Sequence, residues 1–281
     1  MARTPNSPTF DRMQRDPSKL IQHARDIETL TVFEWSDNGQ QQNAFGDEVG
    51  VAVPADAAKI ELQLYNFPTC QLRKIYFPPR TRTPWHANHD DVILYSIDAH
   101  QVEFVGTQSF YARPGDATLH PVGVEHHSET LVPGWRLEFA FDAQPGLCGR
   151  DLIALSGQGL RWHDMAEWVT RDSRQEIFVG DTAVPANAQP FSARLYHFPV
   201  YSMREYRWSG GSTLPSHVND REKLIYIRSG QLQLTVDALT EVMLPDSMAR
   251  IPAGAKTSRT ALEDCIALEL PGFKTPRPYP R

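Results

Sequence analysis

The sequence predicts an all-β protein built as two tandem jelly-roll barrels with short flanking helices. Three observations carry that prediction. The first is an internal repeat: Leu64-Tyr65-Asn66-Phe67-Pro68 returns as Leu195-Tyr196-His197-Phe198-Pro199, a shift of 131 residues. The second is a series of short β-branched and aromatic segments divided by Pro, Gly and Asp. The third is that no helical period separates those segments, which argues against a parallel α/β sheet and for a closed or sandwiched sheet.

The repeat holds one register without a gap. A shift of 131 carries Arg73 onto Arg204, Pro84 onto Pro215, His86 onto His217, Asn88 onto Asn219, Asp91 onto Glu222 and Tyr95 onto Tyr226. Farther on it carries Pro121 onto Pro252, Gly123 onto Gly254 and Glu138 onto Glu269. Two homologous units follow, at 45–145 and 178–272. Strands are expected in the first over Lys59 to Tyr65, Cys70 to Phe77, Val92 to Ile97, Gln101 to Val105 and Trp135 to Phe141. Residues 1–44 form an arm in which Leu20, Ile21, Ala24, Ile27 and Leu30 have near-helical spacing, so a short helix is expected there. The connection at 146–177 holds Trp162, Met165 and Trp168, read as a second short helix, and the proline-rich residues 273–281 read as an extended arm.

Composition narrows the partners. Apolar residues make up 41% and charged residues 22% of the 281, an ordinary folded composition. The net charge of −6 includes no long run of one sign, which argues against nucleic acid and polybasic membrane contacts and for a small-molecule substrate. Cys70, Cys148 and Cys265 lie far apart without a CxxC spacing, so neither a disulfide framework nor a zinc ribbon is expected. With no apolar leader and no run of eighteen apolar residues, a cytoplasmic location is expected.

The chemistry is expected in the first unit. His86 and Asp91 precede the apolar strand Val92 to Ile97, and His126 follows the turn Pro114-Gly115-Asp116 and His120-Pro121-Val122-Gly123. Two imidazoles and one carboxylate brought together by facing strands would leave coordination positions open, as in non-haem Fe(II) oxygen chemistry, and the same donors suit Zn, Mn or Ni. These segments resemble the two motifs of the cupin superfamily. The second motif is matched by Gly115, Pro121, Gly123 and His126, with Thr130 in place of the closing Asn. In the first, Pro84-Trp85-His86 replaces a His-x-His pair, Asp91 stands as the acid and Asp98 where Gly is usual. The resemblance implies two double-stranded β-helix barrels, a bicupin, and a divalent-metal site, with a homodimer expected.

The repeat selects Asp91 over Asp90, because Asp91 maps to Glu222 and Asp90 to Arg221. His89 is a candidate fourth ligand or catalytic proton shuttle, and Trp85, Arg73, Tyr95 and His120 are candidate substrate-binding residues. Each has a plainer reading: the arginines as ordinary ion pairs, the aromatics with Phe104, Phe139 and Phe141 as core, and His89, His120 and His127 as loop histidines. The second unit retains His217 and Glu222 but has Thr257 opposite His126, and so reads as a degenerate site. The expected function is that of a metal-dependent bicupin dioxygenase using Fe(II) and O₂ on a small phenolic or aromatic acid. The alternatives are a Zn- or Mn-dependent sugar-acid or keto-acid isomerase or lyase, and a non-enzymatic small-ligand-binding cupin.

Overall fold

The computed structural model describes residues 19–37, 40–43, 58–68, 70–83, 85, 87–88, 91–121, 123–141, 167–170, 181–182, 191–197 and 202–271. They form two compact units: described residues 28–141 make the first, and 19–27 with 167–271 make the second. Nearly all regular structure is antiparallel strand, and among the described residues no helix is long and apolar enough to cross a membrane.

In chain order the strands are β1 (Ile21–Gln22), β2 (Thr29–Asp37), β3 (Gln40–Asn43), β4 (Ala58–Asn66), β5 (Cys70–Phe77), β6 (Asp91–Ser96), β7 (His100–Val105) and β8 (Gln108–Ala112). They continue with β9 (Ala117–His120), β10 (His126–Val132), β11 (Gly134–Phe141), β12 (Glu167–Thr170), β13 (Asp181–Thr182), β14 (Phe191–His197) and β15 (Ser202–Trp208). The last are β16 (Thr213–Asn219), β17 (Lys223–Ser229), β18 (Leu232–Val236), β19 (Leu239–Met243), β20 (Met248–Ile251), β21 (Lys256–Ala261) and β22 (Cys265–Pro271).

The first unit pairs a sheet of order β3-β2-β4-β5-β11-β6-β9 with a smaller one of order β10-β7-β8. The second repeats the plan as β1-β20-β17-β22-β15-β14-β12 and β13-β16-β21-β18-β19. Shifted by 131, β8 and β9 coincide with β19 and β20, and the bridge Arg82↔Glu129 becomes the pair Thr213↔Thr260. The left-handed turns repeat as well. Positive φ occurs at Arg80 and Gly211, Gly106 and Asp237, Gly115 and Asp246, Gly123 and Gly254, each pair 131 apart. Only glycine enters that region without a Cβ penalty. At the 106/237 pair the asparagine-like side chain of Asp237 compensates, its Oδ1 accepting from the Lys256 N–H at 2.9 Å.

Strand periodicity fixes the two faces of each sheet. In the first unit Ile60, Leu62, Leu64, Ile75 and Phe77 form an apolar cluster on one face. The inner face of the second unit is apolar over Tyr206, Trp208, Ile225, Ile227, Leu232, Leu234 and Val236. The expected leading helix is replaced by a short strand and one turn. Ile21 and Gln22 pair with Ala249 and Met248 of β20, and Ile21, with Leu20 packed beside it, is buried in the second unit's core, so these two of the periodic apolar residues serve a sheet edge. One 3₁₀ turn, Ala24–Asp26, is all that winds there. Trp168 lies in β12, paired with β14; Trp162, Met165 and the arm at 273–281 lie outside the described residues.

Candidate metal and substrate site

Facing strands in the first barrel turn a set of polar side chains inward. The register places Val92 opposite both His120 and Ala140, Leu94 opposite Glu138, and Ser96 opposite Arg136, so these share the face that carries the apolar cluster. On the smaller sheet His126, Ser128 and Thr130 pair with Val105, Glu103 and Gln101. The side chains of the two sheets then meet. His120 and His126 have ring centroids 4.2 Å apart, and His120 Nε2 lies 3.3 Å from Glu103 Oε2.

His126 is held by both ring nitrogens. Val124 O is 2.8 Å from Nδ1, so Nδ1–H donates to it, and Nε2 accepts from Asn88 Nδ2 at 3.2 Å. The second barrel preserves this frame with other side chains: His217 Nδ1–H donates to Pro215 O at 2.9 Å, and Asn219 Nδ2 donates to Thr257 Oγ1 at 2.9 Å. His217 pairs directly with Thr257 across β16 and β21, the positions that correspond to 86 and 126.

Around the histidines of the first barrel is an ionic network. Arg136 donates to Gln101 Oε1 at 3.0 Å, Ser128 Oγ at 3.1 Å and Glu138 Oε1 at 2.5 Å, and lies 3.6 Å from Glu103. Ser128 Oγ donates to Glu103 Oε2 at 2.6 Å. Burial pushes the Glu103 carboxyl upward, but His120, Arg136 and Ser128 outweigh it and hold the group below the usual carboxylate range. Glu138 is likewise held down, against its burial, by Arg136, Arg73 and His120. Arg73, expected to face a substrate, lies 3.7 Å from Glu138 and donates to Gln71 Oε1 at 2.8 Å.

Strand parity separates several residues expected to act together. Asp91 is fully buried, but alternation from Val92 places it on the opposite face of the sheet from His120 and Arg136, together with Ile93 and Tyr95. Asp91 and Tyr95, expected beside His126, thus lie on the face of β6 opposite Val92 and Leu94. Glu222 follows the same parity: Arg250 Nε and Nη2 donate to its Oε2 at 2.8 and 2.7 Å, away from His217 and Thr257. Trp85 is 52% exposed and packs on His127 and Phe104, which stack at 4.3 Å on the outer face of the smaller sheet. His86 and His89 lie outside the described residues.

Glu103, Ser128 and Arg136 were not among the expected site residues. Their signal in the sequence was parity with His126, two residues before Ser128, and with Glu138, two residues after Arg136. Among the described residues no three of His, Cys, Asp and Glu converge as a metal-holding group. The two imidazoles fit a metal in a narrower sense. Each has one ring nitrogen near an acceptor, the Glu103 carboxylate or the Val124 carbonyl, which is how outer partners orient ligating histidines.

No family model matches the chain, and no curated protein matches it. Solved structures do. An oxalate decarboxylase from Lactobacillus farciminis, solved with formate, aligns over 90% of this chain and 86% of its own with a TM-score of 0.62 and 12% identity. AerE from Microcystis aeruginosa aligns over 76% and 93% with a TM-score of 0.58 and 9% identity. The salicylate 1,2-dioxygenase from Pseudaminobacter salicylatoxidans aligns over 73% and 71% with a TM-score of 0.52 and 15% identity. The chain has the fold of these structures, two double-stranded β-helix barrels in tandem.

Proposed function

We propose that the first barrel is the active site of a metal-dependent dioxygenase that acts on a small phenolic or aromatic acid, with Fe(II) as the metal. The observation that carries this reading is His126: its Nδ1–H is fixed on the Val124 carbonyl, which leaves Nε2, here accepting from Asn88 Nδ2, as the lone pair that a metal beside His120 would take in its place. His126, His120 and His86 form the proposed ligand set, with His120 taking the place that parity denies to Asp91. His86, outside the described residues, enters the set through the repeat alone: its counterpart His217 sits directly across from the counterpart of His126.

A metal held by these histidines would supply open coordination positions for O₂ and substrate oxygens. The chain's own residues do the rest. Glu103 stays ionised in the interior, its Oε2 3.3 Å from His120 Nε2. Arg136, Ser128 and Gln101 fix Glu103 and Glu138, so the polar wall behind the histidines is rigid before substrate arrives. His89, close in sequence to His86, is the candidate for moving a proton. The fold shared with the salicylate dioxygenase, a protein also solved with gentisate, supports an aromatic acid as substrate.

The test is oxygen uptake by anaerobically purified, Fe(II)-loaded protein with gentisate-like, catechol-like and hydroquinone-like acids. Uptake with one of them, together with one iron per chain, is expected. Protein that retains no metal after reconstitution removes the basis of the proposal, and iron binding with keto-acid isomerisation but no oxygen uptake replaces it with the redox-neutral reading.

A further inference from the structure

The two barrels use the same asparagine differently. In the second, β16 carries His217 and Asn219 two residues apart on one face, and both reach Thr257. Thr257 Oγ1 lies 3.5 Å from His217 Nε2 and accepts from Asn219 Nδ2 at 2.9 Å. Asn219 Nδ2 also donates to the Ala255 carbonyl at 3.2 Å, which leaves Oδ1 buried without a hydrogen-bond partner among the described residues.

In the first barrel the same position, 131 residues earlier, is Asn88. Its backbone is held alike: the Gly123 N–H donates to Asn88 O at 3.0 Å, as the Gly254 N–H does to Asn219 O at 2.7 Å. Its side chain meets a different atom. The hydroxyl of Thr257 is replaced by the imidazole of His126, whose Nδ1–H is committed to Val124 O, so Asn88 Nδ2 donates to the Nε2 lone pair at 3.2 Å. Asn88 thus converges on the ring nitrogen that a metal beside His120 would take.

Once a cation takes that lone pair, the amide hydrogens point at positive charge and are repelled. A half-turn about the Cβ–Cγ bond, a broad two-fold torsion, exchanges Nδ2 for Oδ1 in nearly the same space. An amide oxygen is a neutral, hard donor that divalent cations accept. We propose that Asn88 is a metal-ligating residue of the first barrel: its amide, which here donates to His126 Nε2, turns over to give Oδ1 to the cation as a fourth donor beside His126, His120 and His86. The proposal rests on the first barrel being the metal site.

Calorimetric titration of the full-length, chelator-treated protein with Zn(II), joined to carbon NMR of asparagine labelled at Cγ, tests it. Zn(II) is expected to shift the Asn88 Cγ resonance, identified as the one missing from Asn88→Asp. Asn88→Leu, similar in size but without a donor, should bind Zn(II) roughly tenfold more weakly or worse. Asn88→Asp, which keeps an oxygen at the same reach, should bind at least as tightly as the unsubstituted chain. Undiminished or tighter binding by Asn88→Leu overturns the proposal, since an amide that only competes for the lone pair would behave so. Weakened binding by Asn88→Asp overturns it too. If Asn88→Leu does not fold, a Cγ resonance unmoved by Zn(II) overturns it by itself. His126→Ala separates the two assignments. Loss of Zn(II) there, with full affinity in Asn88→Leu, removes Asn88 alone, whereas Zn(II) retained in His126→Ala removes the metal site and Asn88 with it.

Discussion

At the scale of single residues, the two barrels differ where His126 faces Thr257. Both sites keep an asparagine that reaches the side chain at that position, Asn88 in one and Asn219 in the other. The frame is common, and only the ligand-bearing atom is lost. His126→Ala is therefore expected to remove bound metal, measured by elemental analysis, whereas Thr257→Ala should leave the metal content unchanged. A second residue-scale prediction concerns Glu269, the carboxylate within reach of Arg204, Lys223 and Arg259. Glu269→Gln removes a partner from buried charges, which costs about 3–5 kcal/mol, to be read as a fall in the urea midpoint of unfolding.

At the scale of elements, turns and strand edges carry the repeat. Gly123 has φ +72 with nothing within 4 Å of an added Cβ, so Gly123→Ala should cost only the left-handed penalty, about 1–2 kcal/mol. Gly230 has φ +75, and its Cβ would stand 2.1 Å from the Asp264 carbonyl oxygen. Gly230→Ala must therefore shift backbone as well, and chemical denaturation should show the larger loss. The edge strand β1 is held by Ile21 in the second core and by His23, which lies 3.0 Å from Ser247 Oγ and 2.9 Å from Glu241 Oε2. Ile21→Ala should destabilise by about 2–4 kcal/mol, the usual cost of truncating a buried aliphatic side chain.

Most elements were legible because β-branched runs, turn residues and the constant shift agree with one another. The leading segment was not. Its apolar spacing matches a helix about as well as an edge strand, and the unpaired edge of β20 decides between them. Parity was legible in principle, since Val92, Leu94 and Ser96 must share a face. Which face looks inward depended on β9 and β11, and that moved the inward position from Asp91 to Val92.

Over the whole molecule, the pH dependence of stability should carry the signature of the second barrel. Burial raises the Glu269 carboxyl, but Lys223, Arg259 and Arg204 outweigh it and hold it at about 2, against an ordinary 4.5. Its contribution is complete above about 4.5 and is lost as pH falls toward 2. Burial, aided by Arg259 and opposed by Glu269, pushes the Lys223 ammonium down to about 8 from 10.5. The unfolded chain then binds more protons between those values, so this contribution to stability rises with pH across them. Urea midpoints measured across that window should lose the rise in Lys223→Met.

The sequence by itself determined that there are two units, that both are β barrels, and that a histidine in one copy is a threonine in the other. These are properties of order along the chain, and a constant shift preserves them. Tertiary structure alone decided which charged residues meet. Glu103 and Ser128 come from one sheet, His120, Arg136 and Glu138 from the other, and only closure of the barrel brings their charges within reach. The same closure gathered Lys223, Arg204 and Arg259 about Glu269, because residues far apart in sequence are driven together by burial of the apolar strands that carry them.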